Sequence, residues 1–153
     1  MTRSKADQAL ELDRQLCFAL YAASRAVTDV YRSLLAELGL TYPQYLALLV
    51  LWQENPLPVK RIAEALRLDY GTVSPLLKRL EQQGLVTRQR AAGDERSVTI
   101  ALTAEGDALR KKARAIPPKI QCAVGLDDER AADLIETLRA LTESTLGGQH
   151  AKS

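Results

Sequence analysis

Residues 58–102 read PVKRIAEALRLDYGTVSPLLKRLEQQGLVTRQRAAGDERSVTIAL, and the spacing of their apolar residues changes along the way. Ile62, Ala63 and Leu66 share one face of a short helix. After a break at Arg67-Leu68-Asp69, Val73, Leu77 and Leu80 recur at the four-and-three spacing of a second helix. Gly84 stands where a left-handed residue closes such a helix. The period then falls to two. Residues 86–90 and 97–102 are rich in β-branched side chains, and the polar tip 91–96, AAGDER, joins them. Helix, turn, helix and hairpin in this order predict a winged helix-turn-helix. The second helix is sized for a DNA major groove, and the wing for reaching an adjacent groove.

Charge supports the same reading. The stretch carries eight Lys or Arg against five acids, while the rest of the chain carries thirteen against fourteen. The positive excess therefore sits where phosphates would be met. With Val73, Leu77 and Leu80 turned inward, Thr72, Ser74, Lys78, Arg79 and Gln82 face outward or flank that face. Short hydroxyls near the helix start suit base edges and phosphates; Lys78 and Arg79 suit the backbone. In the wing, Val98, Ile100 and Leu102 should point inward, and Arg88 and Arg90 share one face of the opposite strand. Asp94 and Arg96, two apart at the tip, would let a carboxylate hold a guanidinium for a narrow minor groove. Without DNA the same pair is a tip salt bridge of small worth.

Composition narrows the remaining classes. At 153 residues, 46% hydrophobic and 26% charged, the chain has the make-up of a globular domain, mainly helical with a small β-wing. MTRSKADQALELD has no apolar core of a signal peptide, and no apolar run approaches a membrane span, so a cytoplasmic protein is expected. Cys17 and Cys122 stand 105 residues apart, which is neither a metal-ligand spacing nor a disulfide framework. The single histidine, His150, lies in a tail expected to be flexible over 147–153. No metal site, cofactor or His-based catalytic triad is therefore expected.

Outside the head, residues 12–38 predict one long helix. Leu16, Leu20, Ala23, Val27, Val30 and Leu34 form a continuous apolar seam along it. Such a helix spans roughly 40 Å, more than a small domain needs for itself, so the seam is expected to pack on a second subunit. Beside the seam run Cys17, Tyr21, Ser24, Thr28 and Tyr31. Thr41 and Gln44 have the spacing of a capping box, opening a helix in which Tyr45, Leu46, Leu49, Val50 and Trp52 form scaffold. A break at 55–58 follows. Asp69 or Thr72 could cap the second helix of the head; Pro75 favours the later start. Thr103 should cap a helix from 105 to about 115, interrupted by Pro117-Pro118, and Asp127 or Asp128 should cap a last one carrying Leu134, Ile135, Leu138 and Leu141. Residues 12–40 and 103–146 thus read as dimerisation helices around a DNA-binding region, 41–102.

Over nearly its whole length the chain resembles the MarR family of bacterial regulators. DERSV of the wing, LTAEG opening the next helix and KRLEQQGLV carry the likeness. Within the family, LCFALYAASR around Cys17, TYPQYLALLVLW around Tyr42 and YGTVSPLLKRLEQQG resemble the branch that senses organic hydroperoxides. The resemblance implies a homodimer on a pseudo-palindromic double-stranded operator, released when an organic hydroperoxide oxidises Cys17. It also implies that Tyr31 and Tyr42 hydrogen-bond the sulfur, and that Cys122 resolves the oxidised thiol through an intersubunit disulfide. Cys17 and Tyr31 lie fourteen residues apart, about 21 Å along an unbroken helix, so such a bond must join two subunits with antiparallel helices. Two other functions fit the residues less well. One is a relative operated by a phenolic or aromatic ligand; the other is a thiol peroxidase, which has no use for a basic wing.

Overall fold

The computed structural model describes residues 5–91 and 94–150, with side chains from Asp7 to Arg90 and from Ser97 to Gly147. Among the described residues, eight helices and three strands follow the order α1 (Lys5–Ala9), a 3-10 turn (Leu12–Arg14), α2 (Leu16–Ala36), α3 (Tyr42–Gln53), β1 (Leu57–Pro58), α4 (Val59–Leu66), α5 (Tyr70–Gln82), β2 (Val86–Ala91), β3 (Asp94–Leu102), α6 (Ala104–Ala113), α7 (Ile116–Val124) and α8 (Asp128–His150). They fall into two compact units, divided after Ile116.

The first unit holds the winged helix-turn-helix. Its core is built from the inward residues of α3, α4 and α5, with Leu48, Leu51, Ile62, Val73, Leu77 and Leu80 all sealed from solvent and Ile100 of the wing against them. The capping box is present at α3: Thr41 N–H donates to Gln44 Oε1 at 2.8 Å, and Gln44 N–H donates to Thr41 Oγ1 at 3.4 Å. Arg67, in the left-handed region at φ 54°, closes α4 and turns the chain. Gly84 takes φ 74°, and Leu85 N–H reaches back to Leu80 O at 3.0 Å, closing α5 as its position predicts.

Several boundaries differ from the sequence expectation. The long first helix does not run from 12. Gln15 is extended, and its side-chain amide donates to Ala9 O at 2.7 Å and Glu11 O at 3.0 Å. Those bonds hold the preceding turn and start α2 at Leu16, so Cys17 is its second residue. The break at 55–58 contains a strand. Leu57 pairs with Ile100 and Pro58 with Thr99, and the sheet order is β1-β3-β2. Proline fits there because an edge strand can spare one N–H. At α5 the cap is Asp69, whose carboxylate accepts Thr72 N–H at 2.9 Å and Thr72 Oγ1–H at 2.8 Å. Pro75 is therefore accommodated inside the helix, past its first turn. Pro117 and Pro118 do not merely interrupt: they occupy the first turn of α7, where missing N–H groups cost nothing. Asp127 caps α8, accepting Arg130 N–H at 2.8 Å. That helix runs on through Gly147 and Gly148 to His150, where a flexible tail is expected. A glycine costs a helix about 1 kcal/mol, and five preceding turns can carry that. The last three residues, 151–153, lie outside the described residues.

Gly106, in the LTAEG stretch, packs α6 against Leu85 in the turn between α5 and β2. A Cβ there would collide with the carbonyl oxygen of Leu85. Trp52 Nε1–H donates to Gly106 O at 3.0 Å, so the buried indole packs and is satisfied at once. Gly106→Ala should lose about 1–3 kcal/mol of stability through overpacking, read as a lower urea midpoint at unchanged slope. A midpoint equal to wild type would mean that α6 can lift off Leu85 freely.

Candidate DNA-reading face and thiol site

On the exposed side of α5 stand Thr72, Lys78, Arg79 and Gln82, with Ser74 half-buried. Thr72 is not idle there, since its hydroxyl holds the Asp69 carboxylate. The two bonds from Thr72 keep the Asp69 carboxyl below its usual range, so the cap stays charged at neutral pH. Tyr70, the first residue of α5, is half exposed beside them.

The wing separates its two arginines. In the antiparallel register Arg88 lies opposite Ile100 and Arg90 opposite Val98, so both fall on one face of β2, with different surroundings. Arg88 lies against α5: its Nη1 donates to Ser74 O at 3.3 Å, and its backbone N–H donates to Glu81 Oε1 at 3.2 Å. That places Arg88 as a strut between wing and helix, a role the period-two pattern did not suggest. Arg90, nearer the tip, is exposed. The tip side chains expected to act together, Asp94 and Arg96, lie outside the described residues.

The residues that the resemblance assigns to a thiol site lie apart in the single chain, Cys17 and Tyr31 toward opposite ends of α2. Cys17, near its start, is exposed, and so is Cys122 in α7 of the second unit. Near the other end of α2, Tyr31 meets Tyr42 at the start of α3, with ring centroids 4.5 Å apart. Tyr45, one turn along α3, closes on Tyr31 at 5.9 Å and passes the contact to Trp52 at 6.4 Å. The resemblance named Tyr31 and Tyr42 as hydrogen-bond partners of the Cys17 sulfur and left Tyr45 as scaffold; its spacing of three from Tyr42 was the available signal. Burial pushes the Tyr31 phenol up to about 12, with Tyr42 and Tyr45 adding to it, and burial raises Tyr42 and Tyr45 as well. All three therefore remain protonated hydrogen-bond donors across the neutral range. A cleft of about 390 Å³ opens beside Tyr42.

A buried amide ties this end to the head. Gln44 Nε2 donates to Gln83 Oε1 at 3.2 Å, and Gln83 Nε2 donates to Gly39 O at 3.0 Å. The residue after Pro43 and the C-cap of α5 are thus linked. Elsewhere the stripe beside the α2 seam is locally satisfied: Thr28 donates to Ser24 O at 2.6 Å, and Arg25 Nη1 donates to the Tyr21 hydroxyl at 3.1 Å. Among the described residues, no cluster of three His, Cys, Asp or Glu could hold a metal, and no helix is long and apolar enough to cross a membrane.

A three-stranded wing behind a capped helix pair defines a winged helix-turn-helix protein. The family match is to the MarR family over residues 40–98. The chain is also 52% identical over 132 residues to the organic hydroperoxide resistance transcriptional regulator of Bacillus subtilis, covering 86% of this chain and 88% of that one. The chain belongs to the MarR family. Among solved structures, it resembles AbfR, a Staphylococcus epidermidis protein. The reduced, DNA-bound form of AbfR has TM-score 0.74 and 34% identity, covering 92% of this chain and 99% of that one. Its disulfide-formed structure has TM-score 0.61 and 36% identity, covering 96% and 97%.

Proposed function

We propose that this chain is a redox-sensing repressor: a homodimer that holds a pseudo-palindromic operator while reduced and leaves it when an organic hydroperoxide oxidises Cys17. The observation that carries the reading is the layout of α2. Its thiol lies at one end and the paired phenols of Tyr31 and Tyr42 at the other. One chain cannot bring them together, whereas two antiparallel copies of α2 can. The apolar faces support a second copy: Leu16 on α2, and Leu134, Ile135 and Leu138 on α8, are exposed in the single chain. The B. subtilis relative is named for organic hydroperoxide resistance, and AbfR has been captured on DNA in its reduced form.

In the reactive step the Cys17 thiolate attacks the distal peroxide oxygen and the O–O bond breaks. Sulfur keeps that oxygen as a sulfenic acid, oxidised by two electrons; the alkoxide leaves and takes up a proton as the alcohol. Phenols held protonated beside the sulfur are suited to donate to the thiolate and to guide the leaving oxygen.

A gel-shift titration with cumene hydroperoxide tests the reading. Release should track about one peroxide per Cys17 and reverse with dithiothreitol. Release by a small aromatic ligand with both thiols still reduced would instead favour the ligand-operated alternative, for which the cleft beside Tyr42 is the supporting feature.

The DNA face has its own test. Lys78→Ala and Arg79→Ala should each weaken binding across all sequences and lower the slope of log K against log salt by about 0.9. Arg88→Ala should leave that slope near wild type and act through a loosened wing, since its guanidinium is directed at Ser74 O. A full unit lost from the slope in Arg88→Ala would turn that side chain back toward phosphate.

A further inference from the structure

Among the described residues, Gln44 is the polar side chain that the core encloses, 5% exposed. Both ends of its amide are committed: Oε1 accepts Thr41 N–H at 2.8 Å, and Nε2 donates to Gln83 Oε1 at 3.2 Å. Gln83 Nε2 then donates to Gly39 O at 3.0 Å. A backbone N–H only donates and a backbone carbonyl only accepts, so the two ends of this chain of bonds fix the direction of both amides between them. Turning either glutamine over sets like groups face to face and loses two bonds. Three helices meet along the chain. Gly39, at φ 66°, lies just past the end of α2; Thr41 caps α3; Gln83 is the C-cap of α5, with its own N–H on Arg79 O at 3.0 Å. Tyr42 stands between Thr41 and Gln44, at the first position of α3. Such hydrogen bonds hold only over about 2.7–3.2 Å, so a shift of about 1 Å at this corner either carries the end of α5 with it or breaks the chain.

We propose that Gln44 and Gln83 are positioning residues: their amides hold the C-terminal end of α5 in its DNA-reading setting through bonds made in the reduced protein and lost when Cys17 is oxidised. The trigger rests on the reading above, in which Cys17 of a second copy meets the Tyr42 phenol. Gln44 senses a displacement of Tyr42 because it shares the first turn of α3 with it and is tied to the same Thr41 cap. Gln83 hands that displacement to α5. A link biases a switch only by what it contributes differently to the two states. Deleting this one therefore weakens DNA binding by the reduced form alone. A bond that merely supports the fold would weaken both forms alike.

The test titrates the intact protein with a duplex selected from random sequence by the reduced wild type. It uses a Cys122→Ser background, where no disulfide forms and the oxidised affinity stays measurable. One equivalent of cumene hydroperoxide oxidises Cys17, and trapping the sulfenic acid on a parallel sample confirms it. Adding Gln83→Met, close in length but without an amide, should raise the reduced Kd about fivefold, the order of one net hydrogen bond. The oxidised Kd should not change, so the oxidised-to-reduced ratio falls by the same factor. Gln83 is exposed, so neither exchange there opens the core. Gln83→Glu should lower the ratio as well, because its second carboxylate oxygen meets the Gly39 carbonyl. Its added charge opposes DNA in both forms and cancels in the ratio. A ratio that stays at the parent value in either variant overturns the proposal. Oxidised Cys122→Ser that binds DNA as tightly as its reduced form, while oxidised wild type lets go, overturns it too and leaves the thiol-sensor reading standing. If cumene hydroperoxide leaves Cys17 of wild type reduced, that reading falls and this proposal with it.

Discussion

Cys17→Ser should hold the operator as tightly as the reduced wild type, within roughly 0.5 kcal/mol, and should stay bound at hydroperoxide doses that empty it. Serine keeps the size of the side chain and accepts hydrogen bonds from the same phenols, but its hydroxyl does not climb the oxidation ladder. Cys17 is exposed at the second position of α2, away from the packed core of the head, so the exchange leaves α4 and α5 undisturbed. The expected contrast is complete: full release for wild type, none for the variant. Equal release from both proteins in a gel shift would move the sensor away from Cys17.

The size of the response says what oxidation must do. Taking an operator from 99% bound to 99% free demands a change of about 5.5 kcal/mol. Losing one hydrogen bond between a phenol and charged sulfur is worth about 1.5–3 kcal/mol, and only part of it reaches the DNA. Tyr31→Phe and Tyr42→Phe should therefore weaken the switch rather than remove it. A full response needs the two heads to move, so that their α5 helices no longer meet grooves one helical turn apart. The Gln44–Gln83 bond is a physical link by which displacement near Tyr42 can reach the end of α5.

Much of the head is legible in the chain because its signals are local. Val73, Leu77 and Leu80 mark the buried face of α5 by spacing alone, and each is fully buried. The Thr41–Gln44 box and Gly84 announce a helix start and stop within four residues of themselves. What escapes the sequence depends on partners far along the chain. Nothing local says that Leu57 will pair with Ile100, forty-three residues on. Hydrophobic period also cannot report a helix start: the α2 seam runs to Leu16 without change, and only the Gln15 side chain reaching back to Ala9 and Glu11 decides the boundary. The face of Arg88 depends on wing register, which is set by an irregular tip between Arg90 and Ala91. The phenol cluster was half visible: the family likeness pointed to Tyr31 and Tyr42, whereas Tyr45 joins them only because α3 packs on α2.

The largest covalent change expected is a disulfide between Cys17 of one subunit and Cys122 of the other. A sulfenic acid left alone drifts to irreversible acids, so a resettable sensor needs a second thiol. Cys122 is the only other cysteine in the chain, and it too is exposed. Its thiol attacks the sulfenic sulfur, the S–S bond forms, and the hydroxyl leaves as water. The bond requires Cα atoms within about 7 Å. Cys122 lies in α7, a nine-residue helix with prolines in its first turn and Gly125, at φ 68°, just past its end. Joining that short segment of one subunit to the start of α2 in the other is expected to supply the head displacement that loss of a phenol bond alone does not. Oxidised wild type should therefore run as a covalent dimer on non-reducing electrophoresis and collapse to monomer with dithiothreitol. Cys122→Ser should still release DNA at first, form no covalent dimer, and accumulate sulfinic and sulfonic Cys17 that dithiothreitol does not restore. If oxidised wild type leaves DNA while every chain runs as a monomer, the intersubunit bond is wrong and Cys122 takes no part in resetting the sensor.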